Sequence, residues 1–357
     1  MNLIFWQNTI SLHQLPYIFE LAKISEVEKV ILITPVKQNK EREKLGWSVS
    51  YKETDKFNII INPDTNQINS ILSQYQENSH HFFSGIRAFP FVFNSFKISL
   101  KYNIKRSIIV ESPFFYKKPP FLHYIRQLLF DYKYYKFIYS FYAMGSSACK
   151  WYSKLYKGPI INFKYCTGNA LPPFNPPRNS TLKLVFVGSF IKRKNIEIVI
   201  NALSKLKEKS IEFHLIGDGP LKAKLIKMTK KSALTQNVFF HGVKNNSEIP
   251  TLLSQFDVLI LPSHFDGWGA VVNEALMAGL YVIVSNRCGS KDLIDDNKER
   301  GIIIQPKSED LKSALKYIVE NKKTIDETRI NRTQWSKKIY PESVAKYFFD
   351  TIEPLNV

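Results

Sequence analysis

The chain has 357 residues, with 50 Lys and Arg against 31 Asp and Glu and a formal net charge of +19. At about 100–200 residues per domain this length predicts two domains, and an apolar share of 44% excludes a wholly disordered chain. Cys149, Cys166 and Cys288 lie far apart without paired spacing, which argues against a disulfide framework or a cysteine zinc site. No apolar run reaches the ~20 residues that span a bilayer. Met1 is followed by polar residues with no basic leader, so neither a spanning helix nor a secretory signal is expected, and the expected location is cytoplasmic.

Short apolar runs predict strands at 3–6, 30–34, 57–61, 107–110 and 143–145 in the first half. In the second half they predict strands at 182–188, 212–217, 238–241, 258–262 and 281–285. Amphipathic stretches follow many of them, at 195–207, 221–230, 247–255 and 270–278. Continuous apolar strands separated by helices predict parallel sheets covered on both faces. The expected fold class is α/β, with two Rossmann-like doubly wound domains facing a central cleft. Four prolines within 172–177 can continue neither a helix nor a central strand. They place a linker at 169–180, between a first domain at 1–168 and a second at 181–335, with a helical segment at 336–357.

The charge is uneven. Residues 1–100 carry a net +1, residues 101–164 a net +10, and residues 165–357 a net +8. The middle segment also holds 18 of the chain's 49 aromatic residues. A basic, aromatic surface attracts polyanions, whether nucleic acid or anionic lipid. Within it, Leu122, Ile125, Leu128, Leu129 and Tyr132 recur at helical spacing beside Lys133 and Lys136. This pattern suits an interfacial helix, and it also suits a core helix of the first domain.

The stretch 257–285 reads as strand, glycine-containing loop, helix and strand. Gly267 and Gly269 flank Trp268, so the backbone there can come close to a ligand. The N–H groups that open a helix near residue 270 suit an anion or an oxygen-rich sugar. Asp266 and Glu274, on either side of that helix start, suit charge-assisted hydrogen bonds to hydroxyl groups. Upstream, Lys192, Arg193 and Lys194 in the loop after a strand suit a diphosphate.

Asp266, seven residues, then Glu274-Ala-Leu-Met-Ala-Gly279 resembles the signature of the retaining glycosyltransferases of family 4, which have the GT-B fold. The family has Glu where this chain has Asp266. The resemblance implies that Glu274 holds the ribose hydroxyls of a nucleotide sugar and Asp266 the donor sugar. The amides of Gly267, Trp268 and Gly269 would contact that sugar and its phosphate. The segment from Gly188 resembles the family's diphosphate clamp, with Lys194 at the Lys position, Ser189 where the family has Arg, and Arg193 as a neighbouring charge. Gly217 lies in a strand-and-turn that the family shares, and Gly242 with Val243 in the loop whose backbone holds the nucleobase.

The first half matches the family less. Its loop after the first strand, 7–14, has no glycine but contains His13, a candidate to touch donor phosphate or acceptor if it is not simply structural. Glu111, after a mid-domain strand, stands where family members place a His or an acid. The resemblance implies a metal-independent, retaining hexosyltransferase without cofactor, whose co-substrate is a nucleotide-diphosphate sugar. The basic segment 101–164 points to an anionic membrane surface and a lipid-linked glycan acceptor, as in bacterial O-antigen or capsule assembly. The competing readings are an epimerase or phosphorylase on the same fold, or a basic nucleic-acid-binding protein. No nucleic-acid motif supports the last, so no nucleic-acid partner is expected.

Overall fold

The computed structural model describes residues 1–38, 43, 51–113, 119–168, 181–206, 210–295 and 297–352. The predicted linker 169–180 lies outside the described residues. The chain forms two compact units: residues 1–38, 51–113, 119–168 and 339–352 make the first, and residues 43, 181–206, 210–295 and 297–338 make the second.

The first unit is built on a sheet of β1 (Asn2–Trp6), β2 (Lys29–Thr34), β3 (Phe57–Ile61), β4 (Ser79–Ser84), β5 (Lys105–Val110), β6 (Ser140–Met144) and β7 (Ile160–Phe163). Its strand order is β3-β2-β1-β4-β5-β6-β7 and every pairing is parallel. The second unit's sheet contains β8 (Leu182–Val187), β9 (Ile211–Ile216), β10 (Val238–Gly242), β11 (Val258–Leu261), β12 (Tyr281–Ser285) and β13 (Gly301–Ile304). It runs β10-β9-β8-β11-β12-β13, again all parallel. Strands buried on both faces, such as β6, β11 and β12, explain the unbroken apolar runs in the sequence. In each sheet the chain moves outward one way and then the other. The reversals fall between β1 and β4 and between β8 and β11, where open α/β sheets place their ligands.

Strands β4, β7 and β13 have no counterpart among the predicted elements. β4 reads Ser-His-His-Phe-Phe-Ser, whose histidines mask an apolar strand. Both histidines are fully buried and have protein partners. Trp6 Nε1 donates to His81 Nδ1 at 3.2 Å, and His80 Nε2 lies 2.7 Å from the Ser107 hydroxyl. Burial pushes the His80 ring down to about 3 and the His81 ring to about 4, so both are neutral core groups.

One face of the first sheet packs an aromatic cluster of Phe5, Tyr17, Phe82, Tyr142 and Phe163. Phe348, on the helix Pro341–Asp350, sits among all five, with ring centroids 4.6–5.8 Å away. Offset and edge-on rings of this kind add to the burial of their area. The helix Pro120–Phe130 behaves differently. It buries none of its residues, which removes the core-helix alternative for this segment. It is held through Gln127, whose Oε1 accepts from Trp151 Nε1 at 2.7 Å, and through an edge contact of Tyr124 on Trp151. No helix among the described residues is long and apolar enough to cross a membrane.

Candidate active site

The second sheet presents its loops in the order 242–248 after β10, 217–221 after β9, 188–196 after β8 and 262–270 after β11. The β8 loop is shaped by close backbone approach. A Cβ on Gly217 would lie 2.1 Å from the Gly188 carbonyl oxygen, so only glycine fits there. The same loop turns through Lys192–Lys194 as a 3-10 helix and leaves it at Asn195 in the left-handed region (φ 56°). Asn tolerates that conformation, and its Nδ2 here donates to the Pro262 carbonyl at 3.2 Å, tying the β8 loop to the β11 loop.

These ties bring three sequence-predicted residues into contact. Lys194 Nζ donates to Asp266 Oδ2 at 2.5 Å, and Arg193 Nη1 lies 3.4 Å from the same oxygen while donating to the Phe265 carbonyl at 2.6 Å. Burial alone would raise the Asp266 carboxyl, but Lys194 and then Arg193 outweigh it and hold the group below its ordinary value. The charges are sheltered, with 13% of the Lys194 and 14% of the Asp266 side chain exposed, so water weakens the pair less than on an open surface. Two cations meet one carboxylate, and the local surplus is positive.

Gly269, at φ 96°, ends this loop, and a Cβ there would strike Leu261 Cδ2 at 2.6 Å. The helix Val271–Met277 starts two residues later without a side-chain cap. Glu274 stands in its first turn. Its carboxyl has no hydrogen-bond or ion-pair partner among the described residues, and burial pushes it up to about 7. A half-buried carboxyl with no donor among the described residues is a costly arrangement unless a ligand supplies one. The helix's far end is fixed: Arg329 Nη2 donates to the Ala278 carbonyl at 3.1 Å and Arg332 Nε to the Gly279 carbonyl at 2.8 Å. Cations at a helix C-terminus also suit its dipole.

The remaining predicted donor residues occupy the same edge. Gly188 and Ser189 follow β8. Gly217 follows β9 and donates its N–H to the Gly242 carbonyl at 2.7 Å. Gly242, at φ 70°, opens onto free space, and Val243 beside it is exposed. Trp268 contributes no side chain to a ligand. Its ring is buried and Nε1 donates to Asn273 Oδ1 at 2.8 Å, so only its backbone remains for binding. The sequence reading missed His264 and Arg287. His264 follows β11 and bonds through its N–H to the Arg193 carbonyl at 2.8 Å. Burial and then Arg287 lower the His264 ring from its ordinary value. Both sit just past a strand's carboxyl end, which was the available signal.

His13 and Glu111 lie in the first unit. The His13 ring is 6.1 Å from the Tyr165 ring, and burial first, then Glu111, raise the Tyr165 hydroxyl well above its ordinary value. Both residues therefore gather around one tyrosine at the carboxyl edge of the first sheet. Among the described residues no group of three or more His, Cys, Asp or Glu could hold a metal ion.

Two parallel Rossmann-like sheets with site loops at their carboxyl edges define the GT-B fold. Solved structures share it along the whole chain: HepE of Anabaena, in complex with UDP, aligns over 99% of both chains with a TM-score of 0.68 at 14% identity. Residues 170–338 match the family described as glycosyl transferases group 1. Among curated relatives, a 41.2 kDa protein of the cps region in Klebsiella pneumoniae is 29% identical over 34% of this chain and 32% of its own length. The O-antigen biosynthesis glycosyltransferase WclY of Escherichia coli is 37% identical over 27% of this chain and 26% of its own. The chain thus spans about a third or less of these relatives' length.

Proposed function

We propose that the protein is a retaining glycosyltransferase that moves a hexose from a nucleotide-diphosphate sugar to a lipid-linked glycan acceptor in bacterial O-antigen or capsule assembly. The observation that carries this reading is Glu274: a half-buried carboxyl with no partner among the described residues, one turn into the helix behind the Asp266 loop. Vicinal ribose hydroxyls are the donors such a group lacks. Lys194 and Arg193 supply fixed positive charge for the diphosphate, whose oxygens gain negative charge as the anomeric C–O bond breaks. The acceptor oxygen bonds to the anomeric carbon on the face the diphosphate leaves, and its proton passes to the departing phosphate. Arg193 and Lys194 take the charge-neutralising role in this scheme, so activity is expected to survive EDTA. HepE's UDP complex and the cps and O-antigen relatives support the donor class and the pathway.

The reading includes peripheral attachment to the cytoplasmic face of an anionic membrane through 101–164. The helix Pro120–Phe130 supports it: Phe121 is 60% and Leu129 69% exposed, with Leu122, Ile125 and Leu128 beside them and Arg126, Lys133 and Lys136 also exposed. Apolar side chains with neighbouring cations suit the boundary between headgroups and acyl chains.

The test is a thermal-shift panel of nucleotide sugars, followed by transfer assays with and without a polyprenyl-diphosphate glycan. Stabilisation by a nucleotide sugar and product formed only with acceptor are expected. Conversion of the donor without acceptor would replace transfer by epimerisation. Flotation with phosphatidylglycerol vesicles at low and high salt checks the membrane part. Wild type should float at low salt and Leu129→Glu should not.

A further inference from the structure

The donor-site helices are held from behind by one side chain that the transfer chemistry does not use. The helix Ile249–Leu253 follows the loop 242–248 and is capped by Ser254, and the helix Val271–Met277, which carries Glu274, is capped by Ala278. Arg329, at the start of the helix Arg329–Ser336, reaches both caps. Its Nη1 donates to the Phe256 carbonyl at 3.1 Å, and its Nη2 donates to the Ser254 carbonyl at 2.9 Å and to the Ala278 carbonyl at 3.1 Å.

The Ser254 and Ala278 carbonyls are groups that a helix cannot satisfy by itself, and the negative ends of two helix dipoles meet here on one cation. A planar fork with several donors can span both ends, whereas an ammonium is a single point. The chain makes room for the crossing. Gly279 has φ 78°, and a Cβ there would lie 2.8 Å from Arg329 Cγ, so the glycine that closes the Glu274 motif is the one over which Arg329 passes. Each helix is in turn tied to what it carries. Glu248 Oε2 accepts from the Asn245 N–H at 2.8 Å, and the Glu248 N–H donates to the Asn245 carbonyl at 2.9 Å, which joins the 242–248 loop to its helix. The Ala278 N–H donates to the Glu274 carbonyl at 3.0 Å. A clamp made only to dock the helix Arg329–Ser336 needs one anchor, and Arg332 already supplies it at the Gly279 carbonyl. Arg329 adds a second helix end.

We propose that Arg329 is a positioning residue that fixes the spacing between the loop 242–248 and Glu274, and so selects ligands that hold a base and a vicinal diol at the separation found in a ribonucleoside. The inference rests on the donor-site reading and deepens it: the loop takes the base, Glu274 takes the ribose hydroxyls, and Arg329 sets the gap between them without touching the ligand.

The test measures binding of UDP, GDP and ADP, of their 2′-deoxy forms and of inorganic pyrophosphate to full-length wild type, Arg329→Met and Arg329→Lys. Calorimetry is run at pH 8, where the Glu274 carboxyl is ionised. Wild type should bind its preferred ribonucleotide about tenfold more tightly than the 2′-deoxy form, the worth of one hydrogen bond to a charged group. In Arg329→Met that ratio should fall to about twofold or less, while pyrophosphate affinity stays within about twofold, because sites without shared partners act independently. Arg329→Lys keeps the charge but cannot span the two helix ends, so its ratio should fall as well. A merely structural role would lower stability and leave the ratio alone. A folded variant with the wild-type ratio would overturn the proposal, as would an equal loss of pyrophosphate affinity, which marks general damage. If Arg329→Met does not fold, Arg329→Lys is scored alone by the same ratio. If wild type does not prefer the ribonucleotide, or binds no nucleotide, the ribose role of Glu274 fails by itself. The clamp is then scored by carbon-13 NMR titration of the Glu274 carboxyl. A midpoint that falls from about 7 toward the ordinary 4.5 in the variant, as the freed helix lets water in, supports it, and an unmoved one refutes it.

Discussion

The two sheets present carboxyl edges of opposite character. The second sheet's edge is ionic: Lys194 and Arg193 close on Asp266, and Glu274 behind them has no partner among the described residues. The first sheet's edge is a series of neutral groups, the amides of Gln7 and Gln14 and the phenol of Tyr165. In the proposed transfer the diphosphate needs fixed cations whatever sugar it carries, so that reading calls for an ionic edge. A sugar hydroxyl needs only directed hydrogen bonds, and many residue types can direct them. The ionic edge is accordingly the one with family motifs.

The sharpest way to break this comparison is Lys194→Ala, which should lower kcat by about 10²–10³-fold, as loss of a preorganised charge does. Steady-state kinetics beside Gln14→Leu, expected to cost tenfold or less, measures the asymmetry. Equal losses would mean that the two edges do not divide donor from acceptor. Next in size, Phe348→Ala should destabilise the first unit by about 3–5 kcal/mol through the cavity it leaves. Nucleotide-sugar affinity should be unchanged, and denaturant melts with calorimetry would show both.

Glu274→Gln gives a smaller effect with a defined sign. The Glu274 carboxyl sits at about 7 when folded against an ordinary 4.5, so the folded chain holds the extra proton between those values. The contribution is favourable below pH 4.5 and is lost as pH rises through 7. Glu274→Gln should therefore raise stability by about 1–3 kcal/mol at pH 8 and leave it nearly unchanged at pH 4. It should also weaken nucleotide-sugar binding at pH 8, and melts at both pH values with one binding titration decide it. The smallest effect is ionic. Raising salt from about 0.05 to 0.5 M should weaken nucleotide-sugar affinity a few-fold and leave the KM of a water-soluble acceptor analogue unmoved.

Much of this was legible because parallel sheets write their strands as unbroken apolar runs. Residues 57–61 and 281–285 were read with the bounds the structure gives, and most other runs to within a few residues. The misses have physical causes. β4 carries two histidines whose charge is suppressed by burial, a property of the fold rather than of the residue. β7 and β13 are four-residue edge strands with little room for a pattern. At the site, Asp266 and Lys194 stand out by residue type and spacing, and the structure joins them. Tyr165 gave no signal. It is one of 18 tyrosines, and its partner Gln14 lies 151 positions away in the chain.

The helix Pro341–Asp350 has a consequence for synthesis. The residues that form the first sheet leave the ribosome before the second unit, yet Phe348, which sits among the rings of Phe5, Tyr17, Phe82, Tyr142 and Phe163, emerges only after it. Contacts across so many residues close slowly, and a core without its central ring exposes apolar surface in the meantime. The second sheet, built from strands within 182–304, needs no such wait. The order of completion on the ribosome is therefore the reverse of the order of emergence.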